Sequence, residues 1–246
     1  MLKIYWWDKP NNFGDVLTPH ILTHFGIPWI KSKSLNDANA IMTGSTSRLA
    51  LDDMYILGSG RIHDNEIANP KAKWMWVRGP LTRDNAIKQG CDVPPIYGDP
   101  ALFLSEIVKP IGKKYECGWI PHYQDIQICP RVFYKGKLCK TIDPVNKNPL
   151  EVAREISQCK RIISTSLHGI IVAHAYGIPA ARVVLSKLHG SGVKFQDHYE
   201  SIGLKLPLNS LLNWDTKEVY EAWFSTPGFI DMSKPREVLK KMKKTI

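Results

Sequence analysis

Short runs of apolar residues alternate along this chain with longer stretches of mixed polarity. "KIYWW" (3–7), "AIMTG" (40–44), "YILGSG" (55–60) and "KWMWVRG" (73–79) read as strands, several of them stopped by glycine. Between them lie helical stretches. "TPHILTHFG" has Thr18 as its expected cap, Pro19 at the first position and Gly26 past the end. "GPLTRDNAIKQG" is a second helix, closed by Gly90. "PPIYGDPALFL" gives a short strand and a turn, in which Asp99 caps and Pro100 opens the next helical turn. After "VKPIGKKYE" the pattern restarts with "CGWIPHY" (117–123), a strand ending in polar residues. "KNPLEVAREISQC" is the clearest helix: Asn148 caps it, Pro149 opens it, Glu151 holds the capping-box position, and Leu150, Ala153 and Ile156 form a buried stripe. "RIIST" (161–165), the helical "HGIIVAHAYG" ended by Gly177, and "AARVVL" (180–185) complete an α-β-α-β run.

This alternation predicts an α/β protein with parallel sheets. The restart divides it into an N-terminal lobe, 1–111, and a C-terminal lobe, 112–225, with a hinge near Lys109–Lys113. A basic C-terminal helix within 226–246 is expected to pack back on the first lobe. In open α/β sheets ligands lie beyond the carboxyl ends of the strands, so the cleft between the lobes is the expected site.

A chain of 246 residues buries a sizeable core without covalent staples. No segment approaches the roughly 20 uninterrupted apolar residues of a membrane span, and "MLKIYWWDKP" lacks the pattern of a signal peptide. Five scattered cysteines with no CxxC pair argue against a disulfide framework or zinc site and fit a reducing cytosol. The net charge of +10 turns attention to anionic partners. The one basic cluster, Arg236, Lys240, Lys241, Lys243 and Lys244, reads either as a solvated helix face or as a contact with acidic lipid. The basic residues form no stripe interleaved with aromatics, which ranks nucleic acid last among the candidates.

Candidate chemistry concentrates where strands give way to helices. "STSLHG" (164–169) lies before a helix N-terminus, where free N–H groups and the helix dipole favour an anion. Thr165 and Ser166 add hydroxyls, and Gly169 is expected to admit a ligand close to the backbone. His168 reads either as a packing residue or as a proton carrier. His174, inside the apolar helix, reads as core. In "PNNFGDVL" (10–17), Asn12 and Gly14 suit a tight turn, while Asp15 either caps the helix or projects a carboxylate into the cleft. Arg78, ending a strand, offers a planar fork to a carboxylate or phosphate, or else forms a structural ion pair with Asp99. Arg83 reads as solvated. The "HGSGVK" loop, with Gly190 and Lys194, reads either as a cover over an anionic ligand or as a mobile surface connection, and His122 in "PHYQD" is a second proton-transfer candidate. No GxGxxG, P-loop, HExxH or GxSxG motif occurs.

Taken in order, "NFGDVLTP", "VRGPLT", "YGDPALFL", "IPHY", "IISTSLHGIIVAHAYGIP" and "GVKFQDHYESIG" resemble the polysaccharide pyruvyl transferase family. The resemblance implies two Rossmann-like lobes facing a cleft, similar to the glycosyltransferase-B arrangement, with the acceptor on the N-terminal side and the donor on the C-terminal side. It implies transfer of a pyruvyl group from phosphoenolpyruvate to a sugar of a polysaccharide or lipid-linked precursor, as a cyclic ketal, with release of phosphate. No metal or organic cofactor is demanded. His168 and Asp15 become the catalytic candidates. Arg78, Thr165, Ser166, Leu167, Gly169 and Lys194 become donor-side residues; Asn12, His122 and Gly190 become cleft residues. Many members of the family carry Arg-Leu-His where this chain has Ser166-Leu167-His168; either Lys194 or Arg182 supplies the missing cation, or donor affinity is weaker, or the choice of donor has changed. The implied setting is cytoplasmic, with the basic tail offered to the inner membrane face. A nucleotide-sugar-dependent glycosyltransferase on the same two-lobe plan is the alternative.

Overall fold

The computed structural model describes residues 1–9, 11–185, 190–207 and 221–246. Pro10, His189 at the start of the glycine loop, and 208–220 of the expected second lobe lie outside the described residues.

The first half contains strands β1 (Leu2–Tyr5), β2 (Trp29–Lys31), β3 (Ala40–Ile41), β4 (Tyr55–Leu57) and β5 (Lys73–Trp76), with helices α1 (Thr18–His24), α2 (Pro80–Ile87) and α3 (Leu104–Ile107). The strands form one parallel sheet in the order β2-β1-β3-β4-β5. The second half contains β6 (Gly118–Ile120), the hairpin β7 (Phe133–Tyr134) and β8 (Lys137–Leu138), β9 (Lys140–Thr141), helix α4 (Pro149–Ser157), β10 (Ile162–Ser164), α5 (Leu167–Ala175) and β11 (Ala180–Arg182). Here the parallel order is β11-β10-β6-β9. Helices α6 (Val193–Ser201) and α7 (Ser233–Thr245) follow.

The observed strands are shorter than the apolar runs that announce them. Left-handed glycines explain two of these ends: Gly44 (φ 96°) and Gly58 (φ 87°) turn the chain soon after β3 and β4. The residues beyond, expected as strand, become the loops that surround the site. Local chemistry accounts for the helices. Asn148 accepts from the Leu150 N–H at 3.1 Å and caps α4 as expected. Glu151 does not close a capping box; its carboxylate pairs with Arg154 one turn on. Thr18 does not cap α1 either. A 3-10 turn, Asp15–Leu17, runs straight into the helix, so Leu17 takes the cap position and the Thr18 hydroxyl pairs with that of Thr43.

One continuous core joins the two halves. It runs from Leu2, Ile4 and Leu17 through Trp76 and Phe103 to Ile120, Ile156, Ile171, Tyr199 and Leu239. Every residue from Leu167 to His174 is buried, as befits a helix apolar on all sides. Fully burying each large aliphatic side chain contributes roughly 1.5–3 kcal/mol. Smaller clusters lie elsewhere, one including Ile41, Ile56 and Trp74, the other Trp119, Ile163 and Val183. α7 turns Leu239 and Met242 inward, and Arg236 stacks on Phe25 and Phe103 while pairing with Glu106. Its Lys240, Lys241, Lys243 and Lys244 are exposed. Among the described residues no helix is long and apolar enough to cross a membrane.

Candidate functional site

Loops leaving the carboxyl ends of β1, β3, β6 and β10 converge with the start of α6 around a cavity of about 450 Å³. Asn12, Asp15, His122, Ser166, Leu167, His168 and Lys194 all line it. These are seven of the residues singled out in the sequence, drawn together from both halves of the chain. A second cavity, of about 470 Å³ beside α7, is lined by none of the residues placed in the site.

His168 sits in the first turn of α5, 5% exposed. Its Nε2 is sealed from solvent and has no hydrogen-bond partner among the described residues. The ring meets Phe13 edge-on at 6.3 Å. Gly14 hugs the ring so closely that a Cβ there would lie 1.9 Å from Nδ1. Burial, reinforced by the charges of Arg78, Lys194 and His122, lowers the imidazole pKa to about 3. His168 is therefore neutral over the physiological range.

Asp15 accepts from Asn12 Nδ2 at 2.8 Å. Burial raises its pKa to about 6, against the opposing pull of that hydrogen bond and of Lys194. Burial lowers Lys194 to about 8, with Arg78 adding to the shift. Among the described residues the Lys194 ammonium makes no hydrogen bond or ion pair; its closest named partner is the Phe195 ring, 5.6 Å from Nζ. Ser166 caps α5 without a side-chain hydrogen bond, which leaves the first-turn N–H groups open to an anion.

The structure places the remaining residues behind or away from the cavity wall. Arg78 does not line the cavity. It is fully buried, and each nitrogen is engaged: Nε with Asp197 at 3.1 Å, Nη1 with the Ser45 hydroxyl and Nη2 with the Arg61 carbonyl, both at 2.7 Å. Its ion-pair partner is Asp197 on α6, not Asp99. Thr165 is also behind the wall, its hydroxyl accepting from the His122 N–H at 2.6 Å, so it orients the loop that carries His122. Gly169 is small for packing rather than for a ligand, since a Cβ there would meet Ser164 Oγ at 2.4 Å. Gly190 abuts the Ile62 carbonyl in the same manner. Arg182 lies over the Phe195 ring at 4.4 Å, away from the cavity wall. Arg83 is half-buried, bonded to the Val93 carbonyl at 2.9 Å. His174 is buried, as expected, and stacks on His198 with Nδ1···Nε2 at 3.0 Å.

Four features escape sequence reasoning. Arg48 brings a second cation to the wall. Tyr5, Trp7 and Tyr123 form an aromatic side to the cavity, and Trp7 is 46% exposed. Gly14 shapes the seat of His168. Asp99, fully buried, places Oδ2 3.8 Å from His168 Nε2. The "KIYWW" run hides Trp7 inside an apparent strand, and Asp99 is masked by its genuine capping bond to the Ala101 N–H. Among the described residues no group of three or more His, Cys, Asp or Glu side chains is placed to hold a metal ion.

A parallel α/β fold with a cationic, hydroxyl-lined cavity at its strand ends is the setting of a site for an anionic ligand. The sequence profile of the polysaccharide pyruvyl transferase family matches residues 58–186, just over half of the chain, and the protein belongs to that family. Two relatives extend the likeness. The succinoglycan biosynthesis protein ExoV of Rhizobium meliloti (strain 1021) is 29% identical over 83% of this chain and 66% of its own length. Uncharacterized protein L143 of Acanthamoeba polyphaga mimivirus is 27% identical over 80% of this chain and 77% of its own length. No solved structure matches. Membership of this family makes the protein a transferase of the polysaccharide pyruvyl transferase class.

Proposed function

We propose that the protein moves the pyruvyl group of phosphoenolpyruvate onto a sugar of a glycan or lipid-linked precursor, forming a cyclic ketal and releasing phosphate. The observation that carries this reading is the meeting, in one cavity, of an ammonium unpaired among the described residues, an open helix N-terminus and a sealed neutral imidazole. The donor carries a carboxylate and a phosphate. Lys194, Arg48 and the N–H groups at 167–169 supply the cation and donors for them, which answers the absence of an arginine at Ser166. His168 presents Nδ1 to the methylene carbon of the donor. Asp15, with its pKa near 6, takes the proton of the attacking sugar hydroxyl. Arg78 acts at one remove, holding α6 and thereby Lys194. The aromatic side suits the apolar face of a pyranose ring.

In this reading the two sheets are the two lobes of a glycosyltransferase-B-like arrangement, 1–111 on the acceptor side and 112–225 on the donor side. The reaction needs no metal or organic cofactor. The protein works in the cytoplasm, and the exposed lysines of α7 touch an anionic membrane face; unchanged liposome association after deletion of 234–246 removes that last element.

The test is mass spectrometry of phosphoenolpyruvate incubations with a panel of hexosides. A gain of about 70 Da on one of them, lost in His168→Ala, is the expected result. Thermal stabilisation by nucleoside diphosphates and not by phosphoenolpyruvate overturns the reading in favour of a nucleotide-sugar donor.

A further inference from the structure

We propose that Asp99 is the proton store behind His168, a positioning residue that fixes the imidazole tautomer and refills Nε2 when Nδ1 gives its proton to the substrate. The inference starts from two orphaned atoms. Asp99 Oδ1 is committed to the Ala101 N–H at 2.9 Å, while Oδ2 is buried without a hydrogen-bond partner among the described residues. His168 Nε2 is likewise buried without a partner, and the two atoms stand 3.8 Å apart. A small rotation of either side chain closes that gap to a hydrogen bond. Buried polar atoms without partners are uncommon and costly, and two that share one interval ask for one explanation.

The placement decides which nitrogen does what. Nε2 is sealed, and Nδ1, the nitrogen packed against Gly14, is the one assigned to a substrate in the cavity that His168 lines. An imidazole faced by Arg78, Lys194 and His122 does not carry a second proton near neutral pH. If Nδ1 gives up its proton, Nε2 must gain one at the same time. Asp99 is placed to supply it. The charge of Arg78 favours the ionised form of the Asp99 carboxyl and the carboxyls of Asp15 and Asp197 oppose it; burial, the largest influence, holds Asp99 protonated to about pH 7. Arg78 then stabilises the carboxylate left behind.

The transfer balances. The Asp99 O–H breaks as Nε2–H forms, and Nδ1–H breaks as the π pair of the enol C=C takes that proton. The products are an Asp99 carboxylate and an oxocarbenium centre on the donor. Cavity water returns the proton through His168 once product has left. This chemical half rests on the function proposed above; the tautomer does not.

The experiment separates them. Nitrogen-15 NMR of the histidine side chains, with the His168 signals assigned by their loss in His168→Gln, reads the tautomer without any substrate. The expected result is an Nδ1–H imidazole in the wild type and in Asp99→Asn, whose amide can donate to Nε2 and whose Oδ1 keeps the Ala101 bond. Asp99→Leu, checked for folding by circular dichroism, is expected to release that preference. An Nε2–H tautomer in the wild type, or no change in Asp99→Leu, overturns the proposal. In the phosphoenolpyruvate assay, wild-type kcat falls as pH rises through about 7. Asp99→Asn lowers kcat at least a hundredfold, leaves donor KM within about threefold and abolishes that alkaline limb. Wild-type kcat in Asp99→Asn overturns the relay. A wild type that never turns over phosphoenolpyruvate fails the function reading alone, and the NMR result then decides the tautomer.

Discussion

Two fully buried aspartates feel the charge of Arg78, and their surroundings differ sharply. Asp197 collects three donors: Arg78 Nε at 3.1 Å, the Thr82 N–H at 2.9 Å and the Thr82 hydroxyl at 2.7 Å. Gly79 makes room for it, since a Cβ there would strike the Asp197 carbonyl at 2.0 Å. Asp99 receives one N–H and leaves its other oxygen facing an equally bare imidazole nitrogen. The first cluster is complete and holds the two halves of the chain together. The second is incomplete beside the imidazole that lines the cavity. Hydrogen-bond completeness thus separates the carboxylate that serves the fold from the one that serves the site.

The largest effect is expected from Asp197→Ala. It strands the Arg78 guanidinium and the Thr82 donors in the interior, and a loss of about 3–5 kcal/mol should appear as a lower urea midpoint. A shift no larger than that of a surface substitution would break the contrast. Asp99→Asn should act in the opposite sense. A carboxyl whose pKa is raised to about 7 on folding costs stability as pH climbs from about 4 through 7. Removing the charge therefore gains stability that grows from pH 5 to pH 8, up to roughly 4 kcal/mol. Thermal unfolding at the two pH values checks this, and an equal difference at both would count against it.

Gly14→Ala disturbs the incomplete cluster and leaves the complete one alone. The added methyl displaces the His168 ring, and turnover should fall about a hundredfold, with a smaller midpoint shift than Asp197→Ala. Trp7→Ala touches neither cluster. Its effect should be confined to the sugar, an acceptor KM about tenfold higher, worth ~1.4 kcal/mol, with donor KM and the unfolding midpoint unchanged. A rise in donor KM instead would move Trp7 to the other substrate.

What the sequence discloses and what it hides follow from the range of each interaction. The Asn148 cap, the buried stripe of α4 and the interior setting of His174 depend on neighbours a few residues away, and all were legible. So was the convergence of the loops bearing Asp15, His122, His168 and Lys194, because parallel strands put all their carboxyl ends on one side. The Arg78–Asp197 pair spans 119 positions, and nothing local distinguishes Asp197 from a solvated helix residue. Gly14 reads as a turn residue until the ring it faces, 154 positions on, is seen. Asp99 performs a visible local task and a hidden distant one with different oxygens.

Lys194 and Asp197 lie one turn apart on α6, one against the cavity and the other locked to Arg78. The ammonium is thus immobilised during folding, with 7% of its residue surface exposed, rather than at the moment an anion arrives. A surface lysine surrenders up to about 2 kcal/mol of rotamer entropy when it captures a ligand. Here that loss has already been absorbed into the folded state, so anion binding at this wall should be governed by enthalpy and desolvation rather than by conformational entropy.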